Sequence, residues 1–211
     1  MNLKNNIMKN IFLFFFLVLC SGNILASNKE QKINLAKDEK SLLSLLDEAR
    51  KNFTFMSRPI HPKFLQNFEI PWSDTGESHI ISADLLASFD TNDYFQGHVK
   101  TGIQDNKYEF IYLNMPEGSI YRYRKIGALE NGMYAVITDD NGGGSLTISR
   151  LQILDFGTEK AVGADLKPYY RAIIKIFSNI LLPQKIDLLS AHIKANKVIF
   201  SDGTEYDFSQ N

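Results

Sequence analysis

Residues 119–155 read SIYRYRKIGALENGMYAVITDDNGGGSLTISRLQILD, and this stretch decides the fold. Its runs 119–128, 132–138 and 145–155 are rich in β-branched and aromatic residues, which favour strands. Asn131-Gly132 and the segment from Asp139 to Gly144 separate these runs. Asn and Gly tolerate the positive φ that tight turns between antiparallel strands require. The stretch therefore predicts three consecutive antiparallel strands.

The same pattern of short runs and turn residues extends over residues 79–208, without the spacing of about 30 residues that parallel βαβ units require. The sequence therefore predicts a mostly all-β fold, an antiparallel β-sandwich or open barrel with an N-terminal amphipathic helix. In the run after Gly144, apolar residues change from even to odd positions, which predicts a β-bulge near Arg150. The predicted strands are 79–88, 97–104, 107–115, 119–128, 132–138, 145–155, 186–194, 197–201 and 204–208.

One segment, residues 169–182, fits two structures. Its apolar residues fall on one helical face, yet residues 172–177 are rich in β-branched side chains and lie among predicted strands. We prefer the strand, because β-branched residues lose side-chain freedom in a helix and pack well on a sheet.

The N-terminal part of the ordered region is predicted to be helical over residues 38–52. Leucines recur there at helical spacing after Asp38, a suitable N-cap residue, and Arg50 and Lys51 complement the helix dipole at the C-terminal end. Residues 57–76 contain three of the six prolines and the single Trp. They predict an irregular wrap against the sheet, with one helical turn over residues 62–67. The helix, this wrap and the strands together form a single β-rich domain over residues 38–211.

Residues 1–26 have the features of a secretory signal peptide. Lys4 and Lys9 precede ten apolar residues, 11–20, and Ala26 offers a small residue for cleavage. Residues 27–37 are polar and predict a flexible lead to the domain. We therefore expect a periplasmic or secreted protein. Cys20 leaves open lipidation at a lipoprotein-type site, and this is the only route by which we expect a membrane as partner.

The cysteine content and the charge of the chain then exclude several kinds of function. Cleavage after Ala26 removes two of the 23 basic residues, none of the 24 acidic ones and the single cysteine. The remaining chain has no thiol for a disulfide, a nucleophile or a metal site. Its slight acidity argues against nucleic acid as partner. We expect no cofactor, and the sequence predicts an unknown protein or glycan of the cell envelope as partner.

Tyr121-Arg122-Tyr123-Arg124-Lys125 is the first candidate binding motif. In a strand, Tyr121 and Tyr123 share one face, and Arg122 and Arg124 share the other. The tyrosines form a binding platform if they are exposed and part of the core if they are buried. The arginines can grip a carboxylate or phosphate together, but we favour pairing with acids on a neighbouring strand.

Two further candidates lie in turns and loops. Asp139, Asp140 and Gly143 belong to an oxygen-rich loop that can contact a partner, although its spacing does not fit a calcium loop and we predict no metal site. Trp72 lies beside a turn, where it either closes one end of the sheet or stacks on a ligand.

Catalytic signals are weak, and we lean against an enzyme. His98, with Asp90 or Asp93, is the weak candidate for an acid–base pair. The sequence thus favours an exported, non-enzymatic binding or accessory module. The alternatives are a small exported hydrolase acting on glycan or peptide, and a periplasmic immunity or inhibitor protein that uses the glycine-rich loop.

Overall fold

The computed structural model describes residues 39–69, 82–86, 99–104, 108–114, 118–163 and 166–209. The predicted leader, the flexible lead and Asp38 lie outside these ranges. The first element, α1 (Glu39–Asn52), confirms the predicted helix. Its apolar stripe buries Leu42, Leu46 and Ala49 against the sheet, which is why the helix forms.

A short layer continues from α1 along the same face of the sheet. Strands β1 (Thr54–Phe55) and β2 (Arg58–Pro59) form a small hairpin, and α2 (Pro62–Asn67) confirms the predicted helical turn. His61 caps α2, because its Nδ1 accepts a hydrogen bond from the Lys63 amide at 3.1 Å. Burial and the nearby Lys63 charge lower the pKa of His61 to about 4, so the cap is neutral at pH 7.

Seven antiparallel strands form the main sheet in the order β3-β9-β8-β7-β6-β5-β4. Six of them follow one another as a meander, which is what the turn signals predicted. The two outermost strands, β3 and β4, do not pair with each other in the described part of the chain. The strands are β3 (Ser82–Asp84), β4 (Val99–Gln104), β5 (Tyr108–Asn114), β6 (Ile120–Ala128), β7 (Tyr134–Asn141), β8 (Ile148–Val162) and β9 (Pro168–Leu181).

A second sheet of three antiparallel strands lies at the C-terminus. It consists of β10 (His192–Lys194), β11 (Lys197–Ile199) and β12 (Glu205–Asp207), preceded by a 3-10 turn at Leu188–Ser190. The predicted strand 186–194 is therefore wrong in its first part, where Asp187 caps the 3-10 turn. Strand β9 confirms the preference for a strand over residues 169–182.

Other elements pack on both faces of the main sheet, on the outer face over part of its area only, and each face has its own core. On the helix face, α1 and α2 pack on residues such as Tyr123, Leu154 and Ile174. On the opposite face, which we call the outer face, the C-terminal sheet packs on Ile137 and Leu151. The fold is mostly β and antiparallel, as predicted, and the arrangement is sandwich-like.

Cover on both faces also explains why the predicted bulge near Arg150 is wrong. Register between β7 and β8 runs unbroken through Arg150. Apolar residues occur at both odd and even positions of β8 because both of its faces are buried. Leu151 and Ile153 enter the outer core, while Leu154 and Phe156 enter the helix-side core. The register shift of β8 lies instead between Ile153 and Leu154, against β9. No described helix is long and apolar enough to cross a bilayer.

Candidate functional site

Five side chains from five adjacent strands stand in one row on the outer face. Strand register places each directly opposite the next, so all five point to the same side of the sheet. We call this set the cross-strand row. Its members are Lys100, Tyr112, Arg122, Asp139 and Ser149.

Arg122 is the best-fixed cation of the row. Its Nε donates to Asp139 Oδ2 at 2.9 Å, and its guanidinium lies 4.4 Å from the centroid of the Phe110 ring. Asp139 is 5% exposed and also accepts from Ser149 Oγ at 2.6 Å. The Arg122 side chain remains 38% exposed, and no described residue accepts from its terminal Nη atoms. The guanidinium is therefore held from one side and open on the other.

Tyr112 lies between two cations in this row. A Cβ on Gly102 would lie 3.1 Å from Tyr112 Cε1, so the ring rests against the β4 backbone where glycine leaves room. Lys100 is exposed on the edge strand, and Arg122 stands on the other side of the ring. This arrangement suits a ligand whose negatively charged group is attached to a flat or apolar part. The ammonium and the guanidinium can bind the charge, and the partly exposed ring can contact the flat or apolar part.

The alternative that Arg122 and Arg124 grip one anion together does not fit the structure. Both lie on the outer face, but Arg124 is 5% exposed and its Nη2 donates to the carbonyl of Leu188. Arg124 therefore ties β6 to the 3-10 turn. The cross-strand pairing favoured from the sequence holds for Arg122, whose partner Asp139 is directly opposite.

Tyr121 and Tyr123 do not form an exposed platform, because both side chains are fully buried on the helix face. Tyr123 Oη donates to the carbonyl of Ile60 at 2.6 Å, and Tyr121 Oη donates to Glu69 Oε1 at 2.7 Å. Burial holds the pKa of each phenol well above 10, so both remain donors at any physiological pH. The alternative of a core role applies to both residues.

Glu69 is a buried carboxylate that the sequence gave no reason to select from 24 acidic residues. Its Oε1 accepts from Tyr121, from Thr138 Oγ1 at 2.7 Å and from Gln152 Nε2 at 3.3 Å. Arg150 Nε lies 3.7 Å from Oε2. Desolvation raises the pKa of Glu69, although these hydrogen bonds and Arg150 oppose the shift. The network joins the end of α2 to β6, β7 and β8.

Asp140 lies at the rim of this network, half-buried on the helix face. Burial raises its pKa, against a hydrogen bond from Gln66 and the charges of Lys63 and Arg150. Gly143 is exposed at the loop tip, where its amide donates to Asn141 Oδ1 at 2.9 Å. The three predicted loop residues are thus separated: Asp139 belongs to the outer face, Asp140 to the helix face and Gly143 to the tip.

The other predicted site residues lie outside the described residues. These are Trp72, Asp90, Asp93 and His98, and the acid–base hypothesis stays a prediction with them. Among the residues that the structure does describe, no group of three His, Cys, Asp or Glu side chains is placed to hold a metal ion. Sequence analysis missed Lys100, Phe110 and Glu69, since only strand register and burial reveal their roles.

Comparison with known proteins gives no relative: no family model, no curated protein and no solved structure matches the chain. The features that bear on function are therefore the cross-strand row and the hydrogen-bond network around Glu69.

Proposed function

We propose that this protein is an exported, non-enzymatic binding module of the cell envelope that recognises an anionic group through the cross-strand row. The fixed, half-open guanidinium of Arg122 is the observation that carries the proposal. Arginine offers paired N–H donors that match a carboxylate or phosphate, and orienting it in advance lowers the entropy lost on binding. Lys100 adds a second positive charge, and Tyr112 provides a surface for the body of the ligand.

The position of the row supports binding in preference to catalysis. Asp139 and Ser149 orient Arg122, and their oxygen atoms are engaged with each other and with the guanidinium. Glu69, a second buried carboxylate, accepts hydrogen bonds from three side chains on the helix face. Such an arrangement favours a structural role for Glu69, and among the described residues we therefore assign neither Glu69 nor Asp139 to acid–base catalysis.

The experiment is titration of the purified protein with three anionic probes. These are inorganic phosphate, oligogalacturonate and a glutamate-rich peptide, and heat release measures the binding. We expect at least one probe to bind, and Arg122→Lys to weaken that binding about tenfold, because lysine keeps the charge but loses the bidentate fork. Arg122→Ala should reduce it further.

The control variant is Arg58→Lys, which alters an exposed arginine in the layer on the opposite face. It should bind like the wild type. Binding that is equal in the wild type and in Arg122→Ala would contradict the proposal, as would failure of all three probes. The probe that binds identifies the source of the anion: free phosphate, glycan or peptide.

A further inference from the structure

Two Asn-Gly pairs occur in the sequence, Asn131-Gly132 and Asn141-Gly142. An asparagine followed by glycine readily loses its side-chain ammonia in water, because the glycine amide has little steric hindrance and can reach the side-chain carbon of the asparagine. Each pair lies at one end of β7, so the sequence alone does not distinguish them. The hydrogen bonds of the two glycine amides distinguish them in the structure.

Hydrogen bonds fix the Asn131-Gly132 turn. The Gly132 amide donates to the Leu129 carbonyl at 3.0 Å, so the nitrogen that would attack is already engaged. Asn131 is also tied to the C-terminal part of the chain. Its Nδ2 donates to the Phe208 carbonyl at 3.1 Å, and its amide donates to Asn196 Oδ1 at 2.9 Å. Reaction at this pair therefore requires that the turn first break these hydrogen bonds.

The Asn141-Gly142 pair has different surroundings. Asn141 is the last residue of β7, and residues 142–146 are exposed. No described residue accepts a hydrogen bond from the Gly142 amide. The side-chain amide of Asn141 is held within the same loop, because its Oδ1 accepts from Gly143 N at 2.9 Å and its Nδ2 donates to Thr147 Oγ1 at 3.2 Å. The Gly142 amide can thus turn toward this side chain without first leaving an acceptor.

We propose that Asn141 is a site of spontaneous deamidation in the folded protein, and that the fold protects Asn131. The Gly142 nitrogen attacks Asn141 Cγ, and a new N–Cγ bond forms. The Cγ–Nδ2 bond breaks, and the leaving nitrogen takes the proton of the Gly142 amide and departs as ammonia. Water then opens the succinimide ring at one of its two carbonyls, which gives aspartate or isoaspartate.

The loop also stabilises the charge that develops in this reaction. Negative charge grows on Asn141 Oδ1 as the Gly142 nitrogen attacks, and the Gly143 amide already donates to that oxygen. A donor aimed at a developing oxyanion lowers the barrier. Asn131 Oδ1 has a comparable donor, the Met133 amide at 3.2 Å, so the state of the attacking amide is what separates the two pairs.

The product changes the outer face of the sheet. Strand register places Asn141 on the same side as Asp139 and Arg122. Aspartate or isoaspartate at position 141 therefore adds a negative charge to that side, and isoaspartate also adds a methylene to the backbone at the end of β7. The inference does not rest on the proposed function, because the reaction needs only this segment of the chain and water.

Peptide mapping of the purified full chain tests the proposal. The protein is incubated at neutral pH and digested with trypsin, and tandem mass spectrometry measures conversion at each asparagine. Cleavage after Lys125 and Arg150 releases both asparagines in one peptide, residues 126–150, so Asn131 is the internal control for Asn141. A sample taken before incubation corrects for conversion during digestion. We expect position 141 to convert at least about tenfold faster than position 131, since the Gly132 amide must first lose its hydrogen bond.

Two controls separate the effect of the fold from that of the sequence. In urea the hydrogen bonds of both turns are lost, and the two rates should converge. Gly142→Ala hinders the attacking amide and should slow conversion at position 141 about tenfold. The fold tolerates this change, because an added Cβ would have nothing within 4 Å beyond its chain neighbours, and the φ of Gly142 is not in the left-handed region.

Three results would overturn the proposal. One is conversion at position 131 as fast as at position 141 in the folded protein. Another is a difference between the two positions that persists unchanged in urea, which assigns it to the flanking sequence. The third is an unmodified Asn141 in the folded protein while both positions react in urea, which shows that the fold protects both pairs.

Discussion

Glu69 shows how a single side chain can organise one end of the sheet. It is 8% exposed and receives donors from β6, β7 and β8, so it fixes the end of α2 against three strands at once. A buried carboxylate without such partners would be strongly destabilising. The three donors and Arg150 reduce the cost of burial, but the raised pKa indicates that they do not remove it.

The pH dependence of stability should therefore differ between the wild type and Glu69→Gln. The pKa of Glu69 is higher in the folded protein than in the unfolded chain, so above its ordinary value of 4.5 the unfolded chain loses this proton first. The contribution of Glu69 to stability is fully present below that value and declines as pH rises through the folded pKa. Glutamine keeps the acceptor oxygen but does not titrate. Urea unfolding at pH 4 and pH 7 should show Glu69→Gln gaining stability relative to the wild type at the higher pH.

Glu69→Ala provides the contrast at the same position. It removes the acceptor for Tyr121 and Thr138, both buried, and should lower the free energy of unfolding by about 1–3 kcal/mol at either pH. If Glu69→Gln instead loses stability relative to the wild type between pH 4 and pH 7, the ionised form is the favoured one and our account of Glu69 is wrong.

At the scale of elements, the part of β8 beyond Leu154 raises the problem of an open strand edge. Beyond Leu154, β8 has no β7 partner, and exposed strand edges promote pairing between molecules. Phe156 is the first buried residue past that point, and side chains bond to both of its backbone groups. Its amide donates to Asp155 Oδ1 at 2.8 Å, and its carbonyl accepts from Arg50 Nη2 at 2.6 Å. These two hydrogen bonds occupy the backbone groups of Phe156 at the point where β8 first lacks a β7 partner, so another strand cannot pair there.

Arg50→Ala should consequently expose the edge. We expect a loss of about 1–3 kcal/mol in unfolding free energy, because the Phe156 carbonyl loses a charged donor, together with increased self-association. Sedimentation velocity and urea unfolding measure the two effects. Arg50 also pairs with Asp47, so Asp47→Ala serves as the control that removes this exposed pair and keeps the bond to Phe156. Equal behaviour of the two variants would assign the effect to α1 and not to the edge.

The elements also show what could be predicted from sequence. Turn residues such as Asn131-Gly132 set the strand boundaries because their backbone requirements are local, and the stripe of α1 was visible for the same reason. The burial of Tyr121 and the pairing of Arg122 with Asp139 depend on register and on which layer covers each face. The bulge was misplaced because apolar residues on both faces of β8 resemble a shift in alternation. Glu69 follows the six-residue helix α2, and no motif in the sequence marks it.

At the scale of the whole molecule, one sheet separates two cores that share its strands. Phe53 stands in the helix-side core, where its ring stacks on Tyr134 at 4.7 Å and meets Tyr123 edge-on at 5.5 Å. Phe200 stands in the outer core beneath the C-terminal sheet. Strand β7 supplies both, with Val136 on the helix side and Ile137 on the outer side. Neither core can lose its packing without weakening the strands that support the other.

We therefore predict that the two cores unfold together. Phe53→Ala and Phe200→Ala remove rings that are 0% and 2% exposed, and each should lower the free energy of unfolding by about 3–5 kcal/mol. In both variants, urea unfolding followed by far-ultraviolet and near-ultraviolet circular dichroism should give one coincident transition, as expected of a single cooperative domain. A two-step transition in Phe200→Ala, with the helix-side signal retained after the first step, would show that the C-terminal sheet is a separate unit. Coincident loss of both signals would mean that the shared strands couple the stability of the outer core to that of the helix-side core.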